Sequence, residues 1–136
     1  MNIKIVLEGK LKEEFYKKGV EEYRKRLSGR VEIVEVDDIE QFISNKNSYI
    51  VTLELEGKQL DSIEFANKLR DVEFSGESEI LFLIGGAEGL KKEVRDKSNF
   101  KLSLSRLTFL HQEAVLILVE QIYRAHKILN NEKYHR

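Results

Sequence analysis

The stretch "ILFLIGGAEGL", from Ile80 to Leu90, decides the fold of this chain. Its five leading apolar residues predict a strand buried on both faces, as in a parallel sheet. The run ends at Gly85-Gly86, and glycines at the carboxyl end of such a strand lie where open α/β sheets bind ligands. Backbone without Cβ can approach a ligand closely. The Gly-Gly-x-x-Gly spacing matches neither the dinucleotide fingerprint nor the phosphate-binding P-loop, so on its own it is equally typical of a tight turn.

Strand-like and helix-like patterns alternate along the rest of the chain. Branched apolar residues predict further strands at Ile3–Gly9, Arg30–Val36, Ser48–Gly57 and Phe100–Ser105. Helical spacing predicts helices at 13–29, from Asp61 with a capping box to Glu64, within 87–99, and at 111–129, with a short helix or loop at 37–47. The pattern indicates one α/β domain, residues 1–136, with a mostly parallel sheet and helices on both faces.

Composition limits the classes of protein to consider. The 136 residues are 41% apolar and 35% charged, which is typical of a folded globular protein. No apolar run approaches the roughly 18 residues of a membrane span, and the opening residues do not resemble a signal peptide. The absence of cysteine excludes disulfides and thiolate metal sites and agrees with a cytoplasmic protein.

Charge is distributed unevenly although the net charge is only −1. Residues 10–30 hold eight basic and four acidic side chains, residues 31–80 hold four and thirteen, and residues 81–136 hold ten and six. Basic ends around an acidic middle can mark a nucleic-acid surface. They are also typical of ordinary solvated helix faces.

The last helix is apolar around most of its circumference, with six consecutive apolar residues at Ala114–Val119. A helix of this kind must be covered on more than one side. We therefore expect it to form a two-fold homodimer interface, the alternative being a helix central to the core of its own chain.

A second stretch, "LSLSRLTFLHQ" from Leu102 to Gln112, resembles a binding loop. A strand ends there in serine, arginine and threonine, with Thr108 as the expected N-cap of the last helix. Together with the glycine loop and a wall at Leu53–Glu54, it would form a cleft at the carboxyl edge of the sheet.

The histidines do not indicate a metal. His111, His126 and His135 do not form H-x-x-x-H or H-E-x-x-H spacing, so we expect no metal site. No G-x-S-x-G nucleophile motif is present either. The terminal "YHR" taken alone is typical of a frayed tail.

Several of these stretches, taken together and in order, resemble one family. "MNIKIVLEGKLK", "YIVTLELEGKQLDSIEFA", "FLIGGAEGL", "LSLSRLTFLHQ", "EQIYRAHKI" and the final "YHR" are similar to the RlmH family of SPOUT-class methyltransferases of large-subunit ribosomal RNA. The resemblance covers almost the whole chain.

The resemblance implies a function, a fold and a partner. The expected reaction is transfer of a methyl group from S-adenosylmethionine to N3 of pseudouridine 1915 in helix 69 of 23S rRNA, on the assembled 70S ribosome. The expected fold has a deep trefoil knot at its carboxyl end, and the expected assembly is a homodimer. No membrane or metal partner is implied.

The resemblance also implies site residues. The positions that match the family's cofactor contacts are Leu53, Gly85, Leu104, Ser105, Arg106, Leu107, Thr108 and Phe109. Tyr134 and His135 match a segment on the substrate side.

The residue types suggest roles for these positions. Methyl transfer from a sulfonium is an in-line displacement, so positioning should supply most of the catalysis. N3 of the acceptor carries a proton, and His135 is the preferred general base because its unperturbed pKa lies near neutrality. Tyr134 and Arg106 complete the catalytic set, with Arg106 or Arg136 stabilising negative charge. The expected RNA contacts are Lys10, Lys12, Lys17, Lys18, Arg24, Lys25, Arg26 and Arg136.

Three departures from the family concern substrate docking. Leu110 stands where many members have proline, and Val115 stands where many have arginine. The segment between Val36 and Ser48 is shorter than the family's. Two other functions are compatible with the sequence: a catalytically silent knotted dimer that binds the ribosome or RNA, and a flavodoxin-like nucleotide-binding module.

Overall fold

The computed structural model describes residues 1–136. Its elements, in chain order, are β1 (Asn2–Glu8), α1 (Glu14–Arg26), β2 (Val31–Val36), α2 (Ile39–Ile43), β3 (Tyr49–Gln59), α3 (Ser62–Phe74), β4 (Glu79–Ile84), α4 (Lys92–Arg95), β5 (Phe100–Ser103) and α5 (His111–Leu129). None of the helices is both long enough and apolar enough to cross a membrane.

The five strands form one parallel sheet in the order β2-β1-β4-β3-β5. β4 lies at its centre, with Phe82 paired to Ile5 of β1 on one side and to Val51 of β3 on the other. The last five residues of β4 are all buried. The prediction that the run before the glycines is a parallel strand covered on both faces is therefore confirmed.

Helices cover both faces of this sheet, as predicted. Alternate residues point to opposite sides: Ile5 and Phe82 join a core with α1, α3 and α5, whereas Val6 and Leu81 join a smaller core with α2 and α4. Successive side chains of a strand point to opposite faces of the sheet, and because these strands are apolar at nearly every position, both faces are buried.

Helix α5 lies in the middle of its layer, between α1 and α3. Its buried residues include Val115, Leu118, Val119 and Ile122, all covered by the sheet or the flanking helices of the same chain. The alternative of a central core helix thus accounts for most of its apolar surface. A dimer through α5 is therefore not required to bury these side chains, and the apolar surface of α5 is no longer an argument for a dimer.

The starts of α3 and α5 differ in how they are capped. The capping box predicted for α3 is present, because Asp61 accepts a hydrogen bond from the Glu64 N–H at 2.8 Å and Glu64 accepts one from the Asp61 N–H at 2.8 Å. The prediction that Thr108 caps α5 is wrong. The helix starts at His111 with Leu110 at the N-cap, and no side chain caps it.

Strand β3 continues past the body of the sheet. Its ladder with β5 shifts register, so that Leu102 pairs with both Leu53 and Lys58 and the intervening residues bulge outward. A Cβ on Gly57 would lie 2.8 Å from the Leu102 carbonyl carbon, so the close approach of the two backbones requires glycine at this position. The bulge gives one wall to the cavity described next.

Candidate active site

A cavity of about 520 Å³ opens at the carboxyl edge of the sheet, where β3, β4 and β5 end. Three chain segments line it: the middle of β3 at Leu53–Leu55, the glycine loop at Ile84–Leu90, and the segment from Leu102 of β5 to the start of α5. Its size is that of a small-molecule site, and most of its lining is apolar. The cleft predicted from two loops and the Leu53–Glu54 wall is present.

The glycine loop is a tight turn that also lines the cavity. The Gly89 N–H donates to the Gly86 carbonyl at 3.0 Å, which closes the turn. A Cβ on Gly85 would overlap the carbonyl carbon of Gly89 and would lie 2.7 Å from the Leu90 nitrogen. Gly85 is therefore required by backbone packing inside the loop.

Serines fix the shape of the second loop. The buried Ser103 hydroxyl donates to the Ser105 carbonyl at 2.9 Å, and the Ser105 hydroxyl accepts from the Leu107 N–H at 2.9 Å. Loop-internal bonds of this kind substitute for regular secondary structure. They leave the Leu107 side chain 72% exposed beside the cavity.

Glu54 places a carboxylate on the cavity wall. Its side chain is only 12% exposed, accepts a hydrogen bond from the buried Thr52 hydroxyl, and lies 3.9 Å from the Lys101 ammonium. This carboxylate can accept hydrogen bonds from ligand hydroxyls or balance a positive charge on a ligand.

Seven of the eight sequence-predicted cofactor residues line this cavity: Leu53, Gly85, Leu104, Ser105, Leu107, Thr108 and Phe109. Arg106 does not. Its side chain lines a neighbouring depression formed by the β3 bulge at Leu55–Gly57 and by Gln59. The lining also includes His111 and Ala114 of α5, neither of which was predicted to be a site residue. They could have been predicted from their position, because they lie at the start of the helix that directly follows the binding loop.

The C-terminal tail folds back onto α5. The Tyr134 hydroxyl donates to Glu120 at 2.8 Å, and its ring packs edge-on against Tyr123. Burial raises the pKa of Tyr134 above its usual value, and its hydrogen bonds, including that to Glu120, raise it further. Tyr134 is therefore a neutral hydrogen-bond donor at physiological pH.

His135 lies outside the cavity of its own chain. It borders a groove of about 430 Å³ between α3 and α5, and its Nδ1 lies 3.1 Å from Nη1 of Arg124. Leu102 and Leu104 line both this groove and the cavity, so the two are neighbours. The structure therefore places the predicted catalytic histidine next to the cavity and not among the residues that line it.

The predicted RNA-contacting residues of the first helix region divide into two groups. Arg24 and Arg26 form ion pairs with Glu21 and Glu22 of the same helix, at 2.8 and 2.9 Å. The exposed lysines of the group form no ion pair: Lys10, Lys12, Lys17, Lys18 and Lys25.

The positions that depart from the family lie at different depths. Leu110 is 64% exposed and lines the cavity mouth, whereas Val115 is fully buried in the larger core and does not line the cavity. No group of three or more histidine, aspartate or glutamate side chains in the structure could hold a metal ion.

Comparison with known proteins identifies the family. The profile described as "Predicted SPOUT methyltransferase" matches residues 1–135. The chain is 42% identical to ribosomal RNA large subunit methyltransferase H of Clostridioides difficile and 43% identical to that of Finegoldia magna, each over the full length of both proteins. These alignments span 159 positions against 136 residues here, so 23 positions in each alignment have no residue in this chain. The five-residue α2 occupies the segment that was expected to be short.

Solved structures share the fold at low sequence identity. The SpoU methyltransferase AviRb from Streptomyces viridochromogenes, in complex with AdoMet, matches 91% of this chain and 57% of its own with a TM-score of 0.52 at 10% identity. TrmJ from Z. mobilis matches 92% of this chain and 70% of its own with a TM-score of 0.57 at 8% identity. The family match, the full-length relatives and the shared fold agree with the resemblance seen in the sequence. The chain belongs to the SPOUT methyltransferase family and, within it, to the ribosomal RNA large subunit methyltransferase H proteins.

Proposed function

We propose that this protein methylates large-subunit ribosomal RNA with S-adenosylmethionine as the methyl donor. The observation that carries the proposal is the cavity at the carboxyl edge, in which seven residues that match the family's cofactor positions come together from β3, the glycine loop and the loop before α5. The relatives' name supplies the RNA class. Because the substrate is the ribosome, we place the protein in the cytoplasm.

The residues of the cavity suit this donor. An adenine ring fits among apolar side chains such as Leu53, Leu104 and Phe109, while Glu54 can accept hydrogen bonds from a ribose or face a cationic group. S-adenosylmethionine supplies an electrophilic methyl group on a positively charged sulfur. The chain has to hold that group in line with the acceptor and exclude water, and the exposed Leu107 and Leu110 at the mouth can contribute to both.

We further propose that the target is N3 of pseudouridine 1915 in helix 69 of 23S rRNA, on the assembled 70S ribosome. The support is the resemblance of the separate sequence stretches, which includes the tail with Tyr134 and His135. Removal of the N3 proton, or stabilisation of the charge that its loss creates, would then fall to His135, with Arg106 or Arg136 supplying a positive charge.

We infer that two copies form the working enzyme through α5. Two observations support a second copy. His135 does not line the cavity of its own chain, and six of the eleven residues that line the groove beside it are apolar, among them Ile117 of α5 and the half-exposed Ile63 of α3. A partner seated on this groove would cover those side chains and bring His135 next to another chain.

The trefoil knot belongs to the same proposal. β5 is an edge strand, yet the chain that follows it returns across β3 so that α5 packs against β1 and β4 in the middle of the helix layer. If the final segment were threaded through the preceding loops, the chain would pass from the edge strand back to the middle of the helix layer in this way. General topology rules disfavour threaded chains, and the family resemblance is the ground for the exception.

The test is transfer of labelled methyl from S-adenosylmethionine to ribosomes that lack the modification, compared with free 23S rRNA. We expect transfer to assembled ribosomes, mapped to the pseudouridine, and little transfer to free RNA. Binding to ribosomes without any transfer would indicate a catalytically silent RNA-binding protein. No saturable binding of S-adenosylmethionine in calorimetry would overturn the cofactor assignment and favour a different nucleotide-binding module.

A further inference from the structure

The loop that joins β1 to α1, residues 9–13, lies at the same sheet edge as the cavity. A Cβ on Gly86 would lie 3.0 Å from the Glu8 carbonyl oxygen, so the end of β1 touches the glycine loop. Lys10 and Lys12 in this β1–α1 loop are exposed and make no ion pair. Two lysines without an ion pair therefore lie in a loop at the same sheet edge as the cavity.

Side chains from distant parts of the chain hold this loop in place. Oε1 of Gln112 accepts hydrogen bonds from the N–H groups of Lys12 at 2.6 Å and Glu13 at 3.0 Å. The Glu35 carboxylate accepts from the Leu11 N–H at 2.7 Å. Gln112 is 9% exposed and follows His111, which lines the cavity. The helix start that bounds the cavity thus also sets the shape of the lysine-bearing loop.

Gln112 acts in these contacts only as an acceptor. Both of its partners are backbone N–H donors, so the carbonyl oxygen of the side-chain amide is sufficient, and a carboxylate oxygen could replace it. An alanine would leave two partly buried donors without a protein partner. The chemistry therefore predicts that glutamate, but not alanine, preserves the loop.

We propose that Gln112 is a positioning residue for RNA, which holds the β1–α1 loop so that Lys10 and Lys12 meet phosphate groups next to the cavity. The proposal rests on the proposed function, because the phosphates are those of the RNA substrate. The loop's N–H groups at 11–13 already have partners, so the lysine ammoniums and not the backbone would hold the phosphates.

The neighbouring charges fit a polyanion that runs along the surface. A groove beside the loop is lined by the free Lys10 and Lys17 and by Arg24, which is paired with Glu21. Glu35 also lines this groove, where its carboxylate accepts from the Leu11 N–H and keeps its negative charge. Glu13 and Glu14 are exposed and reduce the positive potential around the loop, so each phosphate contact would come from an individual lysine.

The experiment compares four variants in the full-length protein. These are Gln112→Ala, Gln112→Glu, the double variant Lys10→Gln with Lys12→Gln, and the control Lys97→Gln, whose exposed lysine lies before β5 at the opposite sheet edge. Cofactor affinity is measured by calorimetry, ribosome binding as a function of salt, and KM and kcat by methyl transfer. Thermal unfolding checks that each variant is folded.

We expect Gln112→Ala to weaken ribosome binding and raise KM about tenfold while the cofactor Kd changes less than about twofold. Gln112→Glu should behave nearly as the unchanged protein. In the double lysine variant, the negative slope of log affinity against log salt should become less steep by about 1.5. Lys97→Gln should not change this slope.

Three results would overturn the proposal. One is a Gln112→Glu variant as defective as Gln112→Ala. That result would show that Gln112 is needed for the packing of its amide group and not for its hydrogen-bond acceptor. Another is unchanged ribosome affinity in the folded double lysine variant, and the third is no ribosome binding by the unchanged protein. Binding without methyl transfer would overturn the proposed function only, because the binding comparison still decides the role of the loop.

Discussion

Nη1 of Arg124 lies 3.1 Å from Nδ1 of His135, and this contact sets the tautomer of the histidine. A guanidinium has only donors, so Nδ1 must accept and the neutral ring carries its proton on Nε2. Arg124 is itself held by Glu120 at 2.8 Å. In this arrangement Nε2 of His135 is a hydrogen-bond donor, and Nδ1, the only nitrogen that could accept a proton, is already bound to Arg124.

The tautomer predicts how His135 variants behave. If Nε2–H stabilises charge on the target base, His135→Gln, whose amide nitrogen can occupy the same place, should keep kcat within about tenfold, while His135→Ala should lose about 100-fold. Neither variant should change the cofactor Kd in calorimetry. Equal loss in both variants would instead support the general base role, with His135 leaving Arg124 during the reaction. Full activity of His135→Ala would remove His135 from the mechanism.

Mixed dimers test whether the tail of one copy serves the cavity of the other. Gly85→Ala damages the cavity and His135→Ala damages the tail, so each homodimer should be nearly inactive. If the site is composite, a heterodimer obtained by co-expression retains one intact site and should recover up to about half of the activity per dimer. Inactive heterodimers would place each complete site within one chain, and a monomer by light scattering would contradict the dimer.

Gly85→Ala should destroy the glycine loop without unfolding the protein. Its Cβ would overlap Gly89, and backbone atoms cannot move aside as a side chain can. We expect a loss of about 1–3 kcal/mol in the free energy of unfolding and loss of measurable cofactor binding. The matched control is Gly19→Ala, whose Cβ meets only the flexible end of Leu116 at 2.9 Å and should leave cofactor binding intact. A Gly85→Ala protein with normal cofactor affinity would contradict the role of this loop.

Glu54→Gln separates two roles of the carboxylate on the cavity wall. If Glu54 balances the positive sulfur, the variant should bind S-adenosylmethionine about tenfold more weakly, or about 1.4 kcal/mol, yet bind the product S-adenosylhomocysteine, whose sulfur carries no charge, normally. If Glu54 accepts from a ribose hydroxyl, both affinities should fall together. Calorimetry with the two ligands distinguishes these outcomes, and unchanged affinity for both would show that Glu54 contacts neither.

His126 makes stability depend on pH. Burial lowers its pKa below the usual 6.5, and the Arg30 guanidinium at 2.9 Å lowers it further. Between that lowered value and about 6.5 the unfolded chain binds more protons than the folded one, so the free energy of unfolding falls as pH falls through this range. Urea unfolding between pH 7.5 and 5 should show this loss, and His126→Gln should show less of it. An identical pH profile in both proteins would contradict this origin.

Much of the architecture could be predicted because local patterns dictated it. The apolar run of β4 predicted a central parallel strand, and Asp61 with Glu64 predicted a helix start through a bond between neighbours in sequence. The prediction for Thr108 was wrong although a hydroxyl residue before a helix is typical of an N-cap. The loop that lines the cavity continues past Thr108, and the helix begins only at His111.

The role of α5 was harder to predict from its composition. A helix apolar on all sides needs several neighbours, but periodicity does not reveal whether they belong to the same chain. In the structure α1 and α3 flank it, so the apolar surface by itself no longer argues for a partner. The position of His135 outside its own cavity now provides that argument.

The sequence by itself determined the strands and helices, the place of the glycine loop and the family, because these depend on residue type and on spacing along the chain. Only the tertiary structure decided that Arg106 lies outside the cavity, that His111 and Ala114 line it, and that Gln112 reaches back to Lys12 and Glu13 across about a hundred residues. Such contacts depend on how the strands are ordered in the sheet. Strand order is set by the packing of the whole core, which no local stretch of residues encodes.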